Sequence, residues 1–93
     1  MEPAARLRRV ARILMCPEED EAFLFDPQGG AVKLLNPAGA LVWRLLDGDH
    51  DAAAITAAVC AAWPEAAPAA VGADVARFLE GLLQAGLAEV VVV

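Results

Sequence analysis

Residues 31–48 read AVKLLNPAGALVWRLLDG, and the reading of this stretch decides the fold. Ala31 to Leu35 follows Asp26-Pro27-Gln28-Gly29-Gly30, a run built for a turn, and its Val and Leu content suits a short strand. Asn36-Pro37 then starts a helix with no linker. The Asn side chain can accept a bond from an orphan amide, and Pro37 at the first helical position gives up no donor the helix needs. Ala38, Leu41, Val42, Leu45 and Leu46 recur at helical spacing, and Asp47-Gly48 is expected to end the helix, with glycine suited to a left-handed cap. Trp43 and Arg44 fall on the other face, where Trp43 either anchors a partner or packs under the edge of the sheet.

Upstream, Glu21 to Asp26 places Phe23 and Phe25 on one face and Ala22 and Leu24 on the other, and makes a hairpin with Ala31 to Leu35. Arg9 to Met15 is expected to supply the first strand, with Val10 and Ile13 as its β-compatible residues. Downstream, Asp51 is placed to cap a second helix whose buried stripe is Ala52, Ile55, Thr56, Val59 and Trp63, stopped by Pro64. A third helix is expected from about Ala73 to Ala85, with Val75, Phe78, Leu79, Leu82 and Leu83 on one face and Gly86 closing it. The β-branched run Val90 to Val93 can pair with an open sheet edge or stay frayed. The fold class that follows is α+β: a three-stranded antiparallel sheet, then three helices covering one face of it. Residues 1–7 are expected to form a flexible basic arm, residues 8–88 the folded domain and residues 89–93 a hydrophobic tail.

Composition narrows the function. At 93 residues the chain suits one domain, and much of its 59% apolar content is alanine, which buries little area. Arg6, Arg8, Arg9 and Arg12 concentrate the positive charge near the start, whereas the rest carries only Lys33, Arg44 and Arg77 among many acids. An acidic body repels phosphate backbones, so nucleic acid is not an expected partner. No stretch suits a signal peptide or a membrane span, which points to a cytoplasmic protein. Cys16 and Cys60 have no CxxC neighbour and no histidine cluster, so neither a metal site nor a cofactor is expected. With no Ser or Tyr and a single Thr, Asn and His, the chain lacks the material for independent catalysis; His50, between Asp49 and Asp51, reads as a solvated loop residue.

The ordered set Val32-Lys33-Leu34-Leu35-Asn36-Pro37-Ala38-Gly39-Ala40, Leu45-Leu46-Asp47-Gly48, Ile55, and Asp74-Val75-Ala76-Arg77-Phe78-Leu79 with Leu82, Leu83, Gly86 and Leu87 resembles the PqqD family, over roughly residues 8–88. That resemblance implies a RiPP recognition element, a winged-helix-like, non-catalytic domain. Such a domain binds the leader of a ribosomally made, post-translationally modified peptide as an added strand and presents it to a separately encoded enzyme, a radical SAM maturase or a leader protease. Carried over, it implies a groove between Ala31, Val32, Lys33, Leu34 and Leu35 on one wall and Asp74, Arg77, Phe78 and Gly81 on the other. Lys33 and Arg77, one on each wall, imply a leader with acidic residues beside its apolar anchors. Two other readings use the same elements. A helix-turn-helix DNA binder is disfavoured because Asp51 to Trp63 holds no Lys or Arg. An oligomerisation module would act through the Val90 to Val93 tail.

Overall fold

In the computed structural model, which describes residues 4–19 and 21–91, the chain runs β1 (Arg6–Arg9), β2 (Leu14–Glu18), β3 (Glu21–Phe25), β4 (Val32–Leu35), α1 (Pro37–Arg44), β5 (Asp47–Asp51), α2 (Ala52–Ala62), α3 (Pro68–Gln84) and β6 (Ala88–Val90). The class is α+β with three helices, but the strands form two three-stranded antiparallel sheets, β2-β3-β4 and β5-β1-β6, where the sequence suggested one.

The second sheet accounts for most of the differences. Arg9 to Met15 is not a strand: Ile13 N donates to Val10 O in a turn that carries the chain from β1 in one sheet to β2 in the other. Arg6 and Leu7, assigned from sequence to the arm, belong to β1, where Leu7 is fully buried. α1 ends at Arg44, and Asp47–Asp51, with an Asp-Gly-Asp-His-Asp sequence that no β propensity would pick out, pairs with β1. Backbone pairing and not side-chain preference makes this strand. Gly48 sits in it at φ +90, a conformation that side chains resist. His50 lies opposite Leu7 in the register, with Nδ1 2.8 Å from Asp47 Oδ1, and is a strand residue instead of a loop residue. Val90 does pair: β6 lies beside β1, and Val91 N donates to Arg6 O. Val92 and Val93 fall outside the described residues.

The helices start where their caps dictate. Asn36 Oδ1 accepts from Gly39 N at 2.7 Å and Asp51 Oδ1 from Ala54 N at 2.8 Å. α3 begins at Pro68, earlier than the expected Ala73, because proline at the first helical position needs no donor and the alanines after it favour helix. Gly86, at φ +75, closes α3 in a Schellman arrangement, Leu87 N to Leu82 O and Gly86 N to Leu83 O. The core that joins helices to sheets is built on Leu7, Leu24, Leu35, Leu46, Ile55, Leu79 and Leu82. Trp43, left open by the sequence between surface and interior, is 2% exposed and part of that core.

The arginines near the start contact the body. Arg8 pairs with Glu89 at 2.7 Å, and Arg9 Nη1 donates to the Trp43 and Arg44 carbonyls at the C-terminal end of α1, where the helix dipole favours a cation. Arg12 forks onto Asp26, Nε to Oδ1 at 3.1 Å and Nη2 to Oδ2 at 3.2 Å. The hydrogen bonds from Arg12 hold the Asp26 carboxyl below its ordinary range, helped by the backbone amide of Gln28. A carboxylate whose affinity for protons falls on folding stabilises the fold above its unfolded pKa of about 3.9 and stops doing so as the pH drops through its folded value. Asp26→Asn keeps the Gln28 contact and removes the charge. Its melting temperature is therefore expected to lie below that of the wild type at pH 7, with the gap closing as the pH falls below about 4. A gap that stays constant in a thermal melt series across that range would contradict this role.

Candidate peptide-binding edge and groove

The site is built on the hairpin of β3 and β4. Asp26 Oδ1 accepts from Gln28 N in the turn, and Gly30, at φ +75, donates to Asp26 O while Asp26 N donates to Ala31 O. Two residues thus oppose one, a bulge that requires the left-handed conformation glycine takes without strain. Ala31 lies in this bulge, just ahead of β4. Beyond it the register runs Phe25 to Val32, Leu24 to Lys33, Phe23 to Leu34 and Ala22 to Leu35. Bonded and non-bonded pairs alternate in an antiparallel ladder, so the bonds made at Asp26 and Ala31 recur at Leu24 with Lys33 and at Ala22 with Leu35. The amides and carbonyls of Val32 and Leu34 therefore point away from β3. β4 is an edge strand, and among the described residues nothing pairs with that side.

Side chains alternate across the same strand. Val32 (64% exposed) and Leu34 (56%) stand on the outer face of the sheet, in register with Phe25 and Phe23, which in turn lie opposite Leu14 and Cys16. The result is a continuous exposed apolar face. Lys33 and Leu35 point the other way, Leu35 into the core and Lys33 toward α3, with its Nζ 5.8 Å from the centre of the Phe78 ring. Lys33 and Phe78, named from the sequence as opposite walls of a groove, are thus brought together. Val32 and Leu34 are not directed at Phe78. Leu35 is 1% exposed, so its side chain is core.

On α3, Arg77 Nη1 lies 3.3 Å from Asp74 Oδ1 in a pair that is largely solvated and accordingly weak. Gly81 is exposed, and a Cβ built there would meet nothing within 4 Å, so the surface beyond Phe78 is open. The sequence did not reveal a cavity of about 520 Å³ between α1 (Gly39, Val42), the end of α2 (Trp63) and α3 (Val71, Val75, Phe78). Asn36, Asp74 and Arg77 also line it. Gly39 is where α1 and Phe78 approach: a Cβ there would stand 3.4 Å from Phe78 Cζ and 3.2 Å from Asn36 Oδ1. The signal for this cavity, small residues such as Ala38, Gly39 and Ala66 where three helices converge, is invisible until the helices are placed. The outer apolar face went unassigned for a related reason, since alternation gives the two faces of β3 but not which of them meets the helices.

Across the described residues no group of His, Cys, Asp and Glu is arranged to hold a metal ion, and no helix is long and apolar enough to cross a membrane. What the geometry offers is a strand edge, an apolar face and a flanking groove.

The fold that carries these features is shared with a solved structure. The chain has TM-score 0.77 to a solved structure, "TbiB1 in Complex with the TbiA(beta) Leader Peptide", with 26% identity over 88% of this chain and 94% of that one. No curated protein sequence matches it significantly. The family described as coenzyme PQQ synthesis protein D matches residues 21–88, from β3 to the first residue of β6, and so spans the hairpin, all three helices and the cavity between them. The chain belongs to the PqqD family.

Proposed function

We propose that the chain is a non-catalytic recognition domain for the leader of a ribosomally made, modified peptide, which it holds by strand addition to β4 and presents to a separately encoded modifying enzyme. The observation that carries this reading is the open edge of β4, with Val32 and Leu34 backbone groups directed outward and α3 flanking it through the Lys33 contact with Phe78. Kinship supports it: TbiB1, similar over nearly the whole chain, was solved with a leader peptide.

The physical account is direct. A disordered segment laid along β4 satisfies the outward amides and carbonyls of Val32 and Leu34, each bond contributing a net ~0.5–1.5 kcal/mol. That sum is small against the cost of ordering a peptide, so apolar contacts must supply the remainder. Alternate side chains of the added strand would fall beside Val32 and Leu34 on the outer face and beside Lys33 and Phe78 in the groove. The outer face would gain a fourth row, a larger apolar surface for the enzyme to meet. A radical SAM maturase or a leader protease both fit this role. The helix-turn-helix reading is disfavoured by charge, since α2 holds no cation and the one on α3, Arg77, sits beside Asp74.

Lys33 and Arg77 favour a leader with acidic residues near its apolar anchors. Reversing both, Lys33→Glu with Arg77→Glu, is expected to weaken leader binding about tenfold at low salt, with the difference shrinking as salt is added, since exposed pairs contribute up to ~1 kcal/mol each. Fluorescence anisotropy of a labelled leader measures this. Equal affinity for both proteins at low salt would remove the acidic-leader proposal.

A further inference from the structure

Strand addition needs an edge whose backbone faces outward, and among the described residues the two sheets have four edges, β2, β4, β5 and β6. Three of them are closed, each by a different device. β6 is three residues long. β5 is bulged opposite Leu7 and Arg8, and its Asp49 amide is already taken by Asp47 Oδ1 at 2.9 Å. β2 is closed by Pro17. In β3 the residues bonded to β4 are Ala22 and Leu24, so Glu21, Phe23 and Phe25 bond to their partners in β2, which are Glu18, Cys16 and Leu14. Met15 and Pro17 therefore turn their backbone groups away from β3. Proline supplies no N–H there, and its ring stands where an added strand would run.

The exposed side chains do not decide between β2 and β4. The apolar rows Leu14-Phe25-Val32 and Cys16-Phe23-Leu34 cross all three strands of this sheet, so a strand added at either edge would extend the same face. β2 is also self-complementary. Paired with a second copy about a two-fold axis at Cys16, each Met15 would stand in a bonded pair with residue 17 of the other copy and each Leu14 opposite Glu18, so that the acids do not meet. With proline at position 17, half of those bonds have no donor. We propose, resting on the strand-pairing reading above, that Pro17 confines strand addition to β4 by closing the β2 edge, whose occupant in its absence is β2 of a second copy.

Pro17→Val and Pro17→Thr restore the amide with residues that suit a strand, and the N–H they add faces water in the monomer, so both are expected to melt like the wild type. In sedimentation velocity the wild type is expected to stay monomeric and both variants to dimerise, with an association constant at least about tenfold higher. The register gives a second readout. Cys16 of each copy would face the other in a non-bonded pair, about 4.5 Å apart at Cα, within the roughly 4.4–6.8 Å that a disulfide spans. In a Cys60→Ser background, oxidised glutathione, itself reduced as the two thiols join, is expected to cross-link the variants through Cys16 at least about tenfold faster than the wild type. Peptides selected for binding to the wild-type chain from a displayed random library are expected to shift the NMR signals of amides at residues 31–35 and not at 14–18. Variants that fold and associate no more than the wild type, or that dimerise without cross-linking at Cys16, would overturn the closure of β2 by Pro17. Selected peptides that shift residues 14–18 of the wild type would overturn it too, with strand addition itself left standing. Peptides that shift neither edge would overturn strand pairing at β4 and its steering by Pro17 together, even with dimeric variants.

Discussion

Leu34→Pro is expected to fold normally and to lose leader binding by at least about tenfold. The amide of Leu34 points away from β3, so proline there removes no ladder bond, and an edge strand accepts proline where its N–H faces outward. Lys33, the preceding residue, is already extended, as a residue before proline prefers. The same change deletes a donor the peptide needs and sets a ring in the path of its backbone. One lost bond alone is modest, ~0.5–1.5 kcal/mol, but the ring also blocks the neighbouring pairs, and each 1.4 kcal/mol is a factor of ten. Leu34→Ala separates backbone from side chain, since it trims the exposed leucine and keeps the amide; its effect is expected to be clearly smaller. Lys33→Pro is the converse, removing a bond to Leu24 within the sheet and lowering the melting temperature. Calorimetric titration with leader and a thermal melt of each variant check the set. Leader binding to Leu34→Pro at wild-type affinity would contradict pairing at this edge.

The second large effect is on stability. Trp43→Ala is expected to cost about 3–5 kcal/mol, the range for deleting a large aromatic from a packed core. Trp43 is 2% exposed and packed within the core cluster, so its removal leaves a cavity that the surroundings only partly fill. A chain of 93 residues has roughly 5–14 kcal/mol of stability in total. The loss would bring it close to unfolding at 37 °C. Denaturation in urea is the check, with a lower midpoint and an unchanged slope expected. A change under ~1 kcal/mol would mean that Trp43 is not a core residue.

How far the sequence went follows from the kind of signal each element carries. α1 was legible at its start because Asn36-Pro37 encodes a cap, and its end was misplaced because Leu45 and Leu46 continue the helical spacing after the backbone has left the helix. α2 and Gly86 were read from the same sort of local chemistry. The hairpin of β3 and β4 was likewise announced by Asp26-Pro27 and the two glycines that follow. β5 could not be read, since Asp47-Gly48-Asp49-His50-Asp51 has no β propensity and pairs only because β1 offers it backbone partners. β1 was concealed in a basic run that resembles a solvated arm, with Leu7 as its single buried side chain. At the candidate site, Lys33 and Phe78 were picked out and do meet. The roles of Val32 and Leu34 changed from groove contacts to outer-face residues once the register was known, and the cavity beneath Phe78 depends on helix placement that no local pattern encodes.

The central claim, that β4 receives a peptide strand, is tested most directly by amide hydrogen exchange at single-residue resolution on the full chain, with and without its leader. In the free chain Lys33 and Leu35 should exchange slowly and Val32 and Leu34 fast, because only the first pair donates within the sheet. Leader is expected to slow Val32 and Leu34 specifically, in proportion to occupancy. Val32 and Leu34 amides that stay fast at saturating leader, with protection gained at other residues instead, would contradict it.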